Sequence, residues 1–110
     1  MAAEYLADRG YSIISRNFRG NGCEIDIVAA EGKDTVVFVE VKRRTGTDFG
    51  SPADSVNRAK QKRIIRAAHA FRSRYGLTDS YFRFDVISIA GSGGSGNRLQ
   101  HFKGAFSLPR

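Results

Sequence analysis

Most of the chemistry this sequence can offer lies in two short stretches, one holding Glu24 and Asp26, the other Glu40 and Lys42. Both stretches alternate as strands do, and in a strand residues two apart share a face. Glu24 therefore sits with Asp26, and Glu40 with Lys42. Whether the two pairs meet depends on register. An even-length loop between the strands places Asp26 opposite Val39 and turns Glu40 away. An odd loop, such as three residues with a bulge, places Asp26 opposite Glu40 and Glu24 opposite Lys42. The apolar residues decide. With the odd loop Ile25 faces Val41, Ile27 faces Val39 and Ala29 faces Val37. With the even loop Ile25 lies against Glu40, and Asp26 against Val39. A one-residue slip moves every side chain to the wrong face, so the odd register is expected.

That register gathers two or three carboxylates and one ammonium on a single sheet face. Adjacent carboxylates repel and raise each other's pKa. A bound cation removes the penalty, and hard oxygen ligands suit Mg²⁺ or Mn²⁺. Lys42 beside the metal would orient or deprotonate a water and stabilise charge in a phosphorane-like transition state. The metal would lower the pKa of that water. This is a phosphodiester-hydrolysis site in outline. A blander arrangement uses the same residues: a strand pair salt-bridged from Glu24 to Lys42 on a solvated face.

A long helix follows, expected from Pro52 to about Tyr75, with Ser51 as N-cap, Pro52 at N1 and Gly76 ending it. Its apolar stripe runs through Ala53, Val56, Ile64, Ala67 or Ala68, and Phe71, with Lys60 as a gap between Val56 and Ile64. A second face carries Arg58, Lys62 and Arg66 at four-residue spacing, with Arg63 beside it. Ten basic residues stand between Lys42 and Arg74, Arg43 and Arg44 among them, against only Asp48 and Asp54. A solvated helix face normally mixes signs, and this one does not. With Lys60, Arg43 and Arg44 included, it reads as a phosphate-contacting surface, sequence-independent and salt-sensitive. Gln61, on the same helix, could hydrogen-bond a phosphate or a water.

The elements that must position these residues follow from local signals. Residues 2–9 are good helix formers, closed by Gly10. That helix opens without an N-cap, so it is expected to be truncated at its N-terminus. Tyr11 to Arg19 is a strand, turned at Gly20-Asn21-Gly22. Cys23 to Ala30 is the second strand, with Cys23, Ile25, Ile27 and Ala29 on one face. Thr35 to Arg43 is a valine-rich third strand. Tyr81 to Ala90 is a fourth, with Phe82, Phe84 and Val86 as core and Asp85 set for an ion pair with an arginine. Gly91 to Gly96 is a flexible loop, and Leu99 to Phe106 a last edge strand. The order α-β-β-β-α-β-β implies an α/β architecture around one mixed sheet flanked by helices.

Composition bounds the partners. The chain has 110 residues, 41% hydrophobic and 26% charged, which is enough for one domain, 1–110, with one core and one site. No apolar run approaches the ~20 residues of a membrane span, and residues 1–10 lack the pattern of a secretory signal. The single cysteine, Cys23, reads as a core thiol, and His69 and His101 have no partner at ligand spacing. A cytoplasmic setting is expected. Eighteen Lys and Arg against eleven Asp and Glu give a net charge of +7. Such an excess favours a polyanionic partner, nucleic acid before a membrane surface.

Taken together, Gly10-Tyr11, Arg16-Asn17-Phe18-Arg19, Gly22-Cys23-Glu24-Ile25-Asp26-Ile27-Val28, Val37-Phe38-Val39-Glu40-Val41-Lys42, Pro52, Lys60-Gln61-Lys62-Arg63 and Arg83-Phe84-Asp85-Val86 resemble the YraN-like family of bacterial proteins. That family resembles the restriction-endonuclease-like PD-(D/E)XK nucleases, close to archaeal Holliday-junction resolvases. The resemblance implies a restriction-endonuclease-like core and Mg²⁺-dependent cleavage of structured or branched DNA rather than RNA. It implies metal binding by Asp26 and Glu40, with help from Glu24, and a catalytic role for Lys42 with Gln61 nearby. It also implies a homodimer, since resolvases of this kind are commonly two-fold dimers. Cys23 stands where the family often has a second glycine. Related nucleases carry one more acidic residue in the first helix, placed upstream of residue 1 by this likeness and not matched by Glu4.

Overall fold

The computed structural model describes residues 1–44, 56–77, 79–91 and 98–107, Arg44 by its backbone alone. Helix α1 spans Ala2–Asp8. Strands β1 (Ser12–Gly20), β2 (Cys23–Glu31) and β3 (Thr35–Arg44) follow it. Helix α2 spans Arg58–Tyr75, and β4 (Tyr81–Ala90) and β5 (Arg98–Phe106) complete the order α-β-β-β-α-β-β. The five strands form one mixed sheet in sequential order. Among the described residues only β3 and β4 pair in parallel. A parallel pair needs a crossover connection, and α2 lies in it. This is the α/β arrangement that the order of local signals implied. Among the described residues no helix is long and apolar enough to cross a membrane.

The two hairpins come from different turn chemistries. Asn21 and Gly22 both take positive φ, 54° and 74°, between paired Gly20 and Cys23. That is the type I′ turn, whose twist matches the flanking strands. The β2–β3 connection has three residues, with Glu31 opposite Thr35. An odd loop of this length is what segregation of apolar from charged residues required.

Each face of the sheet packs against one of the two described helices. On one side Phe18, Ile25, Val28 and Phe38 pack against Ile64, Ala67, Ala68 and Phe71 of α2. On the other, Ile27, Ala29, Val37 and Val39 pack with Ala2, Ala3 and Leu6 of α1. The central strands are buried on both faces, which is why Val36–Glu40 and Phe84–Ile89 are buried without a break.

Two expectations are corrected. Strand β2 does not keep Cys23, Ile25, Ile27 and Ala29 on one face. Cys23 and Ile25 pack on the α2 side, and Ile27 and Ala29 on the α1 side. The alternation breaks at Asp26. Across from it on β1 sits Asn17, between the pairs Arg16–Ile27 and Phe18–Ile25, at φ +53°. A positive φ inside a strand reverses the local pleat, and the side chains on either side of it exchange faces.

The second correction concerns the start of the long helix. Ser51, Pro52, Ala53 and Asp54 lie outside the described residues. Asn57 is extended (ψ 173°), and its side chain accepts a hydrogen bond from the Lys60 N–H at 2.9 Å, so the helix begins at Arg58. An asparagine carbonyl satisfying an otherwise unpaired amide of the first turn is a sufficient start signal. The far end stops at Gly76, φ +62°, as expected.

A buried polar cluster ties α1 to the sheet. Asp85 is fully buried, and Arg83 forks onto it at 2.8 and 2.9 Å. The Gly104 N–H donates to the same carboxylate at 3.0 Å, and His101 Nε2 lies 2.7 Å from it. Arg83 also donates to Glu31 at 2.7 Å and to the Tyr11 hydroxyl at 2.9 Å. The Tyr5 hydroxyl of α1 reaches His101 Nδ1 at 3.3 Å. The expected ion pair of Asp85 is present, and His101, unpartnered by sequence spacing, is part of it.

Candidate active site at the opened end of the β2–β3 ladder

The β2–β3 ladder runs from Glu31–Thr35 to Ile27–Val39 and stops there. Beyond it a side chain replaces the strand pairing. Asp26 Oδ2 accepts the Val41 N–H at 2.8 Å. The carboxylate takes the place of a ladder carbonyl, and the two strands part around it. The reversed pleat at Asn17 and the side-chain insertion of Asp26 are thus features of one locality.

Two cavities meet at this opening, and Asp26 and Lys60 line both. The larger, about 900 Å³, lies toward α2 and is also lined by Glu24, Glu40, Arg63 and Arg66. The smaller, about 530 Å³, lies toward α1 and is also lined by Glu4, Arg16, Asn17, Lys42 and Arg43. Glu40 is only 7% exposed, and its Oε1 accepts from the Lys60 ammonium at 2.7 Å. Burial pushes the Glu40 carboxyl up, and the nearby charge of Asp26 adds to this; the hydrogen bond from Lys60 offsets only part. A buried carboxylate thus lies near a second one, with the Lys60 ammonium against it and arginines and lysines around both cavities.

The sequence-derived candidates divide accordingly. Asp26 and Glu40 share the larger cavity. Asp26 and Lys42 share the smaller one. Glu24 is exposed and pairs with Arg19 at 3.6 Å, not with Lys42. Gln61 lines neither cavity; its amide donates to the Val56 carbonyl at 2.9 Å, two residues before α2. Arg63 and Arg66 are exposed along the larger cavity, and Arg43 along the smaller. Arg58 and Lys62 are exposed on α2 away from both. Arg44 ends β3, and its side chain lies outside the description.

Two residues take a place other than the expected one, which was a phosphate contact for Lys60 and no match to the site for Glu4. Lys60 points into the site rather than along the open helix face. The signal was its position in the apolar stripe, which faces the sheet. Glu4 lines the smaller cavity with Asp26 and Lys42, and only its acidity within the first helix could have marked it.

The donor set fits a hard cation. Two carboxylates converge, and Asp26 Oδ1 and Glu40 Oε2 accept no hydrogen bond from other described residues. A Mg²⁺ site commonly uses one or two carboxylates and completes its shell with water and phosphate oxygens. Among the described residues no group of three His, Cys, Asp or Glu side chains forms a ready ligand set.

A sequence profile described as "Uncharacterised protein family UPF0102" matches residues 1–89. A UPF0102 protein of Geobacter sulfurreducens is 46% identical over 108 residues, covering 98% of this chain and 84% of its own. One from Pelobacter propionicus is 44% identical over 109 residues, covering 98% and 78%. One from Trichlorobacter lovleyi is 41% identical over 107 residues, covering 97% and 84%.

Proposed function

The chain belongs to the UPF0102 family, the YraN-like family its motifs resemble, and we propose that it is a metal-dependent endonuclease acting on structured or branched DNA. One observation carries the reading: Asp26 and Glu40, from adjacent strands, converge on one cavity where their strands part. An inert salt-bridged strand pair would keep its ladder. Here a carboxylate replaces the ladder, and a second carboxylate is buried at a cost.

In this reading Asp26 and Glu40 would hold Mg²⁺ or Mn²⁺, which when bound would supply an acidified water and neutralise phosphate charge. Lys42, across Asp26 in the smaller cavity, hydrogen-bonds the attacking water and orients it toward phosphorus. Arg63 and Arg66 hold phosphates on one side of the reacting group, and Arg16 and Arg43 on the other. Arg58 and Lys62 extend this surface along α2. A strand crossing from one cavity to the other passes Asp26, which suits cutting within a chain. DNA as the substrate, and a homodimer as the working form, are the choices that the nuclease resemblance implies.

A second reading has its own observation. The Lys60–Glu40 ion pair already compensates the buried carboxylate, as a nucleic-acid-binding module without turnover would need. The test is cleavage of labelled duplex, single strand, flap, four-way junction and RNA, with Mg²⁺ or Mn²⁺ and with EDTA. Cutting that requires the metal supports the nuclease. Binding of the panel without any cutting supports the module.

A further inference from the structure

We propose that Lys60 is the resident counter-ion of the Asp26–Glu40 pair, standing in the place of a divalent cation and released to a phosphate when nucleic acid and cation bind together. The inference rests on the metal-nuclease reading of the site. Its observation is separate: the Lys60 ammonium lies 2.7 Å from Glu40 Oε1, and Lys60 lines both cavities with Asp26.

The geometry gives Lys60 two stations. Its backbone is fixed, because its N–H is held by Asn57 in the first turn of α2. Its side chain is 40% exposed, whereas that of Glu40 is 8% exposed. The ammonium can therefore swing into either cavity without unpacking the core, and the carboxylate cannot follow. Lys60 holds Glu40 Oε1 and leaves Oε2 to a cation, but an ammonium and a divalent cation on one carboxylate repel strongly in a partly desolvated site. Cation binding therefore weakens the Lys60–Glu40 contact and favours release of the ammonium.

Expulsion is unfavourable when the ammonium has only water to go to, with Arg63 and Arg66 already along the larger cavity and Arg16, Lys42 and Arg43 along the smaller. A phosphate in either cavity gives it a new partner. Cation and nucleic acid should then bind with positive coupling, each tightening the other by the same factor. The bare protein would take up the cation weakly and would not be armed without its substrate.

The experiment is a Mn²⁺ titration, read by electron paramagnetic resonance and calorimetry at mildly alkaline pH. It compares the protein, Lys60→Met, Lys60→Arg and Asp26→Asn, each with and without a cleavage-resistant phosphorothioate oligonucleotide. Lys60→Met, which keeps length and removes charge, should bind Mn²⁺ about tenfold more tightly without oligonucleotide. Oligonucleotide should tighten Mn²⁺ binding more in the unaltered protein than in Lys60→Met. Lys60→Arg should follow the unaltered protein, and Asp26→Asn should bind weakly throughout. Lys60→Gln replaces the Met variant if that one does not fold. Equal Mn²⁺ affinity in the unaltered protein and Lys60→Met, with loss in Asp26→Asn, would overturn the role of Lys60 and leave the metal site standing. No Mn²⁺ binding in any form, with or without oligonucleotide, would overturn both.

Discussion

Replacing Asp85 by asparagine should cost about 3 kcal/mol, the low end of what breaking a buried ion pair costs. Asp85 is fully buried and accepts from Arg83 at 2.8 and 2.9 Å, from the Gly104 N–H at 3.0 Å, and from His101 Nε2 at 2.7 Å. An ionised carboxylate is acceptor-only, so these donors all find a lone pair. Asparagine keeps one carbonyl and turns an NH₂ toward the remaining donors. Hydrogen bonds to a charged group contribute about 1.5–3 kcal/mol each, which alone would predict a larger loss. Arg83 limits it by keeping Glu31 at 2.7 Å and Tyr11 at 2.9 Å. The loss is large beside the roughly 5–15 kcal/mol of a typical domain.

The pH dependence supplies a second check on Asp85. Burial pushes its carboxyl up, but the hydrogen bonds from His101, Arg83 and Gly104 together outweigh burial and hold it below its ordinary value of 3.8. A depressed carboxyl contributes stability that is fully present above the unfolded value and is lost as pH falls through the folded one. Urea denaturation should therefore show a constant gap between the protein and Asp85→Asn at neutral pH. The gap should narrow as pH drops below the ordinary carboxyl range. A neutral-pH loss under about 1 kcal/mol, the scale of an exposed pair, would refute this account of the cluster. So would a gap that acid leaves unchanged.

Three further outcomes follow from the packing and charge. A Cβ on Gly20 would lie 2.5 Å from the Ala70 Cβ and 3.0 Å from the Phe18 ring, so Gly20→Ala should destabilise by about 1–3 kcal/mol. Most of that penalty should disappear in an Ala70→Gly background, which a double-mutant cycle of urea denaturation measures. Asn57→Ala should cost about 1 kcal/mol and speed hydrogen exchange in the first turn of α2, since the cap on Lys60 is lost. Arg63→Ala with Arg66→Ala should weaken duplex DNA binding and flatten its salt dependence by about one unit of slope per lost contact. Fluorescence anisotropy across a salt series reads this, and an unchanged slope would move the phosphate contacts off the larger cavity.

The sheet and its key register were readable because burial sorts residues by chemistry. Ile27, Ala29, Val37 and Val39 can share one face only if the β2–β3 loop is odd, and it has three residues. The face change at Asp26 was not readable. It coincides with Asn17 taking positive φ on the neighbouring strand, and asparagine permits that conformation without demanding it. Helix α2 was visible in its periodicity, but its described start at Arg58 is capped by Asn57, and the serine and proline upstream lie outside the described residues. Caps are local signals, and several residues here could have served.

Within the candidate site, Asp26, Glu40 and Lys42 stood out by spacing, yet the cavities separate Glu40 from Lys42. The Lys60–Glu40 and Glu24–Arg19 pairs are tertiary or cross-hairpin choices among many possible partners. Periodicity turns Lys60 toward the sheet but does not choose its partner. The cluster around Asp85 joins residues up to 96 positions apart, beyond what local pattern reaches.

The central claim is that Asp26 and Glu40 form the cation site of a phosphodiesterase. The most direct measurement is the initial rate of Mg²⁺-dependent cleavage of a labelled four-way junction and a flap by the protein, by Asp26→Ala and by Glu40→Gln, each matched for folding by circular dichroism. The account predicts cutting by the unaltered protein that EDTA stops, and a loss of at least about a hundredfold in both variants. Cutting that survives both substitutions would contradict it, as would junction and flap left intact by every form at saturating Mg²⁺ and Mn²⁺.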